Sequence, residues 1–313
     1  VVGGRRGQPV LIRPPRRRFL QATADPRNPG FSRRRGIKPV DRGWIATVPF
    51  VTVCIGDAIG GAETMANVFD LGERGYRFID GVFQYSAGVA ALPGHRIERV
   101  RFSRPVPLDE GFALIADMLR ANNRPLTAFC ACELRSPAQF TDQGFLDFNK
   151  RYVAVLTEWG VLANGRNPVA RSNVCPEIDA PPEPSFHAFS FVVPAPGATR
   201  SFVSAGSGES MEGNATYRER TVAYQDTSPA GMRLKAEHVM GEMERRMGAL
   251  GFGWEDTTGV QVYTVHDIHP FLADLVVSRG AAAHGITWQY TRPPVIDLEY
   301  EMDCRRVMVE RVI

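Results

Sequence analysis

Leu126-Thr-Ala-Phe-Cys-Ala-Cys-Glu-Leu134 and the stretch Pro137–Trp159 that follows it decide the fold. The first is a nearly continuous apolar run, the mark of a strand buried on both faces. In the second, Phe145, Phe148, Tyr152, Val155 and Trp159 recur at spacings of 3, 4, 3 and 4. That rhythm places them on one face of a helix. A strand followed directly by a helix with a single apolar face requires a sheet for that face to cover.

Reading outward, Leu108–Asn123 is a second helix, with Phe112, Ile115, Ala116 and Leu119 on one side. Strands are expected near Ala170–Cys175 and His187–Val193, and a strand-rich entry over 44–105 includes Thr47–Cys54 and Tyr76–Ile79. The same order then recurs. Ser201–Ser204 reads as a strand. Met232–Leu250 reads as a helix with Met232, Ala236, Val239, Met240, Met243, Met247 and Leu250 inward. Val260–His266 is a strand, His269–Arg279 a helix, and Val295–Met302 and Val307–Val312 are strands. Each half is strands, helix, strand, helix, strand, strand, which predicts an α+β fold of two tandem units, each a mixed sheet with two helices on one face. The expected divisions are a basic arm over 1–43, unit 1 over 44–195 and unit 2 over 196–313, joined by Asp179–Ser185 and Pro194–Thr199.

Of 313 residues, 44% are hydrophobic and 23% charged, as in an ordinary globular chain. No apolar run approaches the ~18 residues of a membrane span. The net charge of +3 is unevenly distributed: residues 1–42 carry eleven Arg and one Lys against Asp25 and Asp41, a net +10, which leaves −7 for the rest. A mildly acidic body argues against nucleic acid as a partner. The arm lacks apolar periodicity and reads as flexible. Arg16-Arg17-Arg18-Phe19-Leu20 resembles the core of an export signal, but Gln21–Arg35 supplies no apolar stretch after it. Five cysteines, an odd number, favour a reducing, cytoplasmic setting.

Several possible sites carry little weight. Cys130 and Cys132 alternate faces of one strand, unlike a zinc pair. His266 and His269 straddle a strand end and a helix start. Ser204–Gly208 is glycine-rich without phosphate-loop spacing. Asn214-Ala-Thr216 has the form of a glycosylation sequon, and His284 precedes a turn glycine.

Four other stretches together resemble the RidA (YjgF) superfamily, whose units have a chorismate-mutase-like fold. Pro168-Val-Ala-Arg171-Ser172 is similar to that family's Pro-Ala-Arg-Ser/Thr strand. Val203-Ser-Ala-Gly206 is similar to its Ser-Gly turn, and Val262-Tyr263-Thr-Val265 to its Val-Tyr strand. Leu298–Glu310 is similar to its closing hairpin. The resemblance implies that Arg171 binds a substrate carboxylate with Ser172, Gly206, Tyr263 and Arg292 nearby. It also implies that Glu310 acts as acid or base with Ser204. Unit 1 keeps the arginine but its closing strand, Phe186-His-Ala-Phe-Ser-Phe, has no glutamate. Unit 2 keeps Glu310 but has Val295 near the arginine position. One composite site between units is therefore expected, combining Arg171, Ser204 and Glu310.

A guanidinium matches a carboxylate in a bidentate fork, and a desolvated glutamate with a raised pKa suits general acid–base work through one water. The expected function is a cofactor-free, metal-free hydrolase, or deaminase, of a small carboxylated imine or enamine. Two alternatives stand beside it. One is a chorismatase-type hydrolase releasing pyruvate, since chorismatases are similar tandem proteins. The other is a non-catalytic ligand-binding or assembly protein. The resemblance further implies a homotrimer holding six units.

Overall fold

The computed structural model of the chain describes residues 67–211, 213 and 216–313. The expected arm, the Thr47–Cys54 strand and the first two residues of the Asn214 sequon lie outside them. The chain order is β1 (Val68–Leu71), β2 (Tyr76–Ile79), β3 (Gly88–Ala91), β4 (His95–Pro107), α1 (Leu108–Ala121), β5 (Phe129–Arg135), α2 (Asp142–Glu158), β6 (Ala170–Pro176), β7 (Ser185–Pro194) and β8 (Phe202–Gly208). It continues with the short α3 (Tyr217–Arg220), α4 (Pro229–Leu250), β9 (Gly259–Tyr263), α5 (His269–Phe271), β10 (Thr287–Gln289), β11 (Thr291–Arg292), β12 (Glu301–Arg306) and β13 (Val309–Val312). This is a mixed α+β architecture.

Two of the long helices, α2 and α4, are capped by side chains. Thr141 caps α2 by accepting the Gly144 N–H at 3.1 Å. Ser228 caps α4 through the Gly231 N–H at 3.2 Å, with Pro229 in the first turn. Gly251 ends α4 in the left-handed region at φ 80°. The expected helix at His269–Arg279 differs: only His269–Phe271 is α-helical, and Leu272–Val277 continues as a π-helix.

The strands form two sheets. One has seven strands in the order β1-β2-β3-β8-β12-β9-β10, and the other six in the order β11-β6-β5-β7-β4-β13. On the seven-stranded sheet, the inward side of α4, from Met232 to Leu250, packs on Ile79, Phe202, Val260, Val262 and Met302. On the six-stranded sheet, Phe112, Ile115 and Leu119 of α1 and Phe145, Phe148 and Tyr152 of α2 pack on Phe129, Leu134, Phe186, Phe189 and Phe191. Side chains of opposite parity fill a third core from both sheets: Tyr76, Phe78 and Val89 from one, Ile97, Cys130, Ala170 and Val192 from the other. Alternation along a strand produces both linings at once. The result is helices, sheet, sheet, helices.

The sheets do not divide where the chain order does. The early strands β1–β3 hydrogen-bond into the seven-stranded sheet, through β3 against β8. The last strand, β13, returns to pair in parallel with β4 of the other sheet, Glu310 opposite Arg99, and β11 pairs with β6. The two halves thus exchange strands, and residues from both meet in the space between the sheets.

Candidate functional site

A cavity of about 460 Å³ opens at the edge of this four-layer stack. Its walls are β6, the end of β8, the start of β12, α4, the loop around Tyr85 and the segment before β12. Arg171 and Asn173 stand two apart on β6 and both line it. Arg171 is 2% exposed, yet its Nε and Nη1 have no hydrogen-bond partner among the described residues. Its guanidinium lies instead among aromatic rings, 4.8 Å from the centroid of Tyr152, 5.4 Å from Tyr85 and 5.6 Å from Phe148. Asn173 accepts from Ser136 Oγ at 3.0 Å, but its Nδ2 is buried and unpaired, as is the cavity-lining Ser210 Oγ. Buried donors are almost always satisfied, and leaving one unmade costs about 1–3 kcal/mol. Several in one cavity mark a site built for an acceptor that arrives from outside, and the charge on Arg171 makes an anion the fitting one.

Glu301 faces this cationic wall. It opens β12, is 5% exposed, and is flanked by the buried Tyr300 and Met302. Burial raises its pKa well above the usual carboxylate range, the charges of Asp303 and Glu209 push it further, and Arg135 and Arg171 pull only partly against them. These effects favour its protonated form. A β-bulge shapes the backbone beside it: the β8–β12 register slips between Met302 and Cys304, so β8 carries an extra residue near Ala205–Gly206. The Glu301 carboxylate lies directly over Gly206, where any Cβ would collide with Oε1 and lie 3.1 Å from Ser172 Cα. Gly206→Ala is therefore expected to push the carboxylate aside, lowering kcat by roughly 10–100-fold with little change in melting temperature. Steady-state rates and a thermal melt check both.

The residues expected from the sequence divide into groups. Arg171 and Gly206 line the cavity. Ser172 and Tyr263 converge on Asp303 instead, donating to its Oδ2 at 2.5 and 2.7 Å, while Gln261 donates to Oδ1 at 3.0 Å. Ser204 is fully buried on the helix side of its sheet, its hydroxyl 3.6 Å from Met243 Sδ. Arg292 is tied to Glu177 at 3.0 Å and to Glu299 at 2.7 Å. Glu310 lies on edge strand β13, 37% exposed, paired with Arg305 at 2.6 Å and Arg99 at 3.3 Å. Within one chain, then, Arg171 shares its cavity with neither Ser204, which faces the helix side of its sheet, nor Glu310, which β13 carries to the far edge of the six-stranded sheet. The acid beside Arg171 is Glu301.

The sequence reading passed over Glu301, Asn173, His238 and Glu242. A signal existed for each pair. Glu301 and Asp303 alternate with Tyr300, Met302 and Cys304, placing acids on one face of a strand whose other face is core. His238, Glu242 and Arg246 recur every four residues along α4 and form a polar stripe beside the methionines. Arg245 and Arg246 grip Glu242 at 2.6–2.8 Å and hold its pKa down at about 2, against the opposing effect of burial. Arg246 also donates to the bulged carbonyls of Ala205 and Gly206 at 3.1 and 3.3 Å, bracing the floor of the cavity.

The family model described as 2-aminomuconate deaminase CnbZ matches residues 68–311. A 2-amino-5-chloromuconate deaminase from Comamonas testosteroni is 53% identical over 241 residues, covering 76% of this chain and 96% of that protein. A solved structure titled "Cyanuric acid hydrolase: evolutionary innovation by structural concatenation" overlaps 67% of each chain at 10% identity, with a TM-score of 0.35, too low to bear on the fold.

Proposed function

Because the chain belongs to the 2-aminomuconate deaminase family, we propose that its cavity hydrolyses a conjugated enamine bearing carboxylates, of the 2-aminomuconate type, to the oxo acid and ammonia. The observation that carries this reading is that unpaired donors on Arg171 and Asn173 share one cavity with a buried acid, Glu301, whose pKa burial raises. Arg171 and Asn173 hold a carboxylate. Tyr85 and Phe145, which line the cavity beside Arg171, offer flat faces to a planar conjugated chain. Glu301 gives its proton to the enamine carbon β to nitrogen, which converts C=C–N into an electrophilic iminium, and water then adds to the nitrogen-bearing carbon of C=N⁺.

The reading retains the cofactor-free imine and enamine chemistry that the RidA resemblance implies, with the acid role on Glu301 in place of Glu310. It also retains the homotrimer: edge strand β13 carries exposed Val312 and is followed by exposed Ile313, and a monomeric mass by light scattering would count against that assembly. No described helix is long and apolar enough to cross a membrane.

The test is turnover. Purified protein incubated with 2-aminomuconate is expected to release one ammonia per molecule consumed, and no pyruvate from chorismate. Pyruvate from chorismate would favour the chorismatase-type reading. Binding of 2-aminomuconate without ammonia at any pH would return the protein to a ligand-binding role.

A further inference from the structure

Hydrolysis needs a base for the attacking water as well as an acid for the carbon, and Glu301 cannot begin as both. We propose that His238, on the α4 wall of the same cavity, is the base that activates water; the inference rests on the reading of this cavity as a deaminase site.

The geometry narrows the choice. His238 lines the cavity with Arg171 and Glu301. It lies one helical turn before Glu242, and among the described residues no hydrogen bond occupies its ring nitrogens. The other acids of the wall are committed. Both oxygens of Glu242 receive guanidinium N–H groups from Arg245 and Arg246, which leaves it a weak base. Asp80 pairs with Arg166 at 3.0 Å. An imidazole that is neutral at working pH has a free lone pair, and its surroundings keep it neutral. Burial lowers its pKa most, Arg246 lowers it further, and Glu242 opposes them. Arg171 and Arg220 add positive charge to the same cavity.

The steps balance with two groups. Glu301 protonates the enamine carbon and becomes a carboxylate, while the nitrogen lone pair forms C=N⁺. Water oxygen bonds to that carbon as its proton passes to His238. The resulting carbinolamine nitrogen takes this proton back, the C–N bond breaks, and the hydroxyl proton goes to the Glu301 carboxylate. The oxo acid and ammonia leave, and both side chains return to their starting state.

The experiment separates the two halves of the reaction. His238→Gln is expected to lower kcat by about 10²-fold or more with KM within about threefold, and added imidazole should restore part of the rate in His238→Ala. The fall in wild-type activity on the acid side, where His238 becomes protonated, should vanish in His238→Gln. In D2O, that variant should still place deuterium on the substrate carbon while ammonia release collapses, whereas Glu301→Gln should lose both. Wild-type kcat and an unchanged acid limb in folded His238→Gln and His238→Asn, as judged by near-UV circular dichroism, would overturn the assignment. If Arg171→Ala and Glu301→Gln also left turnover intact, the cavity itself would be the wrong site, a distinct failure.

Discussion

Arg171→Ala is expected to lose about 10²–10⁴ in kcat/KM, on the basis of two charge-assisted hydrogen bonds at roughly 1.5–3 kcal/mol each. The loss should appear mainly in KM, because the carboxylate is held alike in the ground and transition states. The same position makes an opposite prediction for stability. The guanidinium is buried with two nitrogens unpaired, and its ring contacts offset only part of that desolvation. Arg171→Met, which keeps length and gives an apolar side chain to Phe145, Phe148 and Tyr152, should leave the melting temperature unchanged or raise it by a few degrees, since an apolar replacement of a buried charge is often neutral or stabilising by about 1–4 kcal/mol. A drop in melting temperature with activity retained would mark Arg171 as a structural residue.

Glu301→Gln should lower kcat by about 10²–10⁴ with little effect on KM, because the amide keeps the shape but cannot give a proton to carbon. The pH dependence follows from the raised pKa. The working form is the protonated one, so wild-type activity falls as pH rises through that raised value, and the variant should lack this limb. Stability moves in the same sense. A carboxyl whose pKa rises on folding contributes its full share below the unfolded value, and that share is lost as pH climbs toward the folded one. Glu301→Gln should therefore melt higher than wild type at pH 8 and about equally at pH 4, which paired thermal melts would show. Glu242 runs the other way: its depressed pKa of about 2 supplies stability above the ordinary carboxylate range that is lost as pH falls toward 2.

Local patterns in the sequence were sufficient for the three long helices α1, α2 and α4. The inward stripe of α4 lies fully in the core, and Phe145, Phe148 and Tyr152 pack as their spacing requires. Strand partnership was not legible, because the apolar alternation of β1–β3 and β13 says that each has a buried face but not which sheet supplies the neighbours. That choice is made by register and by crossings between distant segments. The same crossing separates the two candidate acids within one chain. Glu301 and Glu310 lie nine positions apart in a stretch whose sequence resembles one closing hairpin. Both are glutamates on strands, and only the exchange of β13 to the other sheet makes one a buried neighbour of Arg171 and the other an exposed partner of Arg305 and Arg99. Arg171 was legible through the resemblance of Pro168-Val-Ala-Arg171-Ser172 to the RidA family's arginine-bearing strand. The bulge at Ala205–Gly206 left no mark beyond its small residues.

The most direct test of the cavity as the site of chemistry is a crystal structure with the unreactive hydrocarbon dicarboxylate, muconate, bound. One carboxylate is expected within about 3 Å of the Arg171 guanidinium and Asn173 Nδ2, with the conjugated chain running past Glu301. Muconate bound elsewhere, with the Arg171 nitrogens still unpaired, would contradict the assignment.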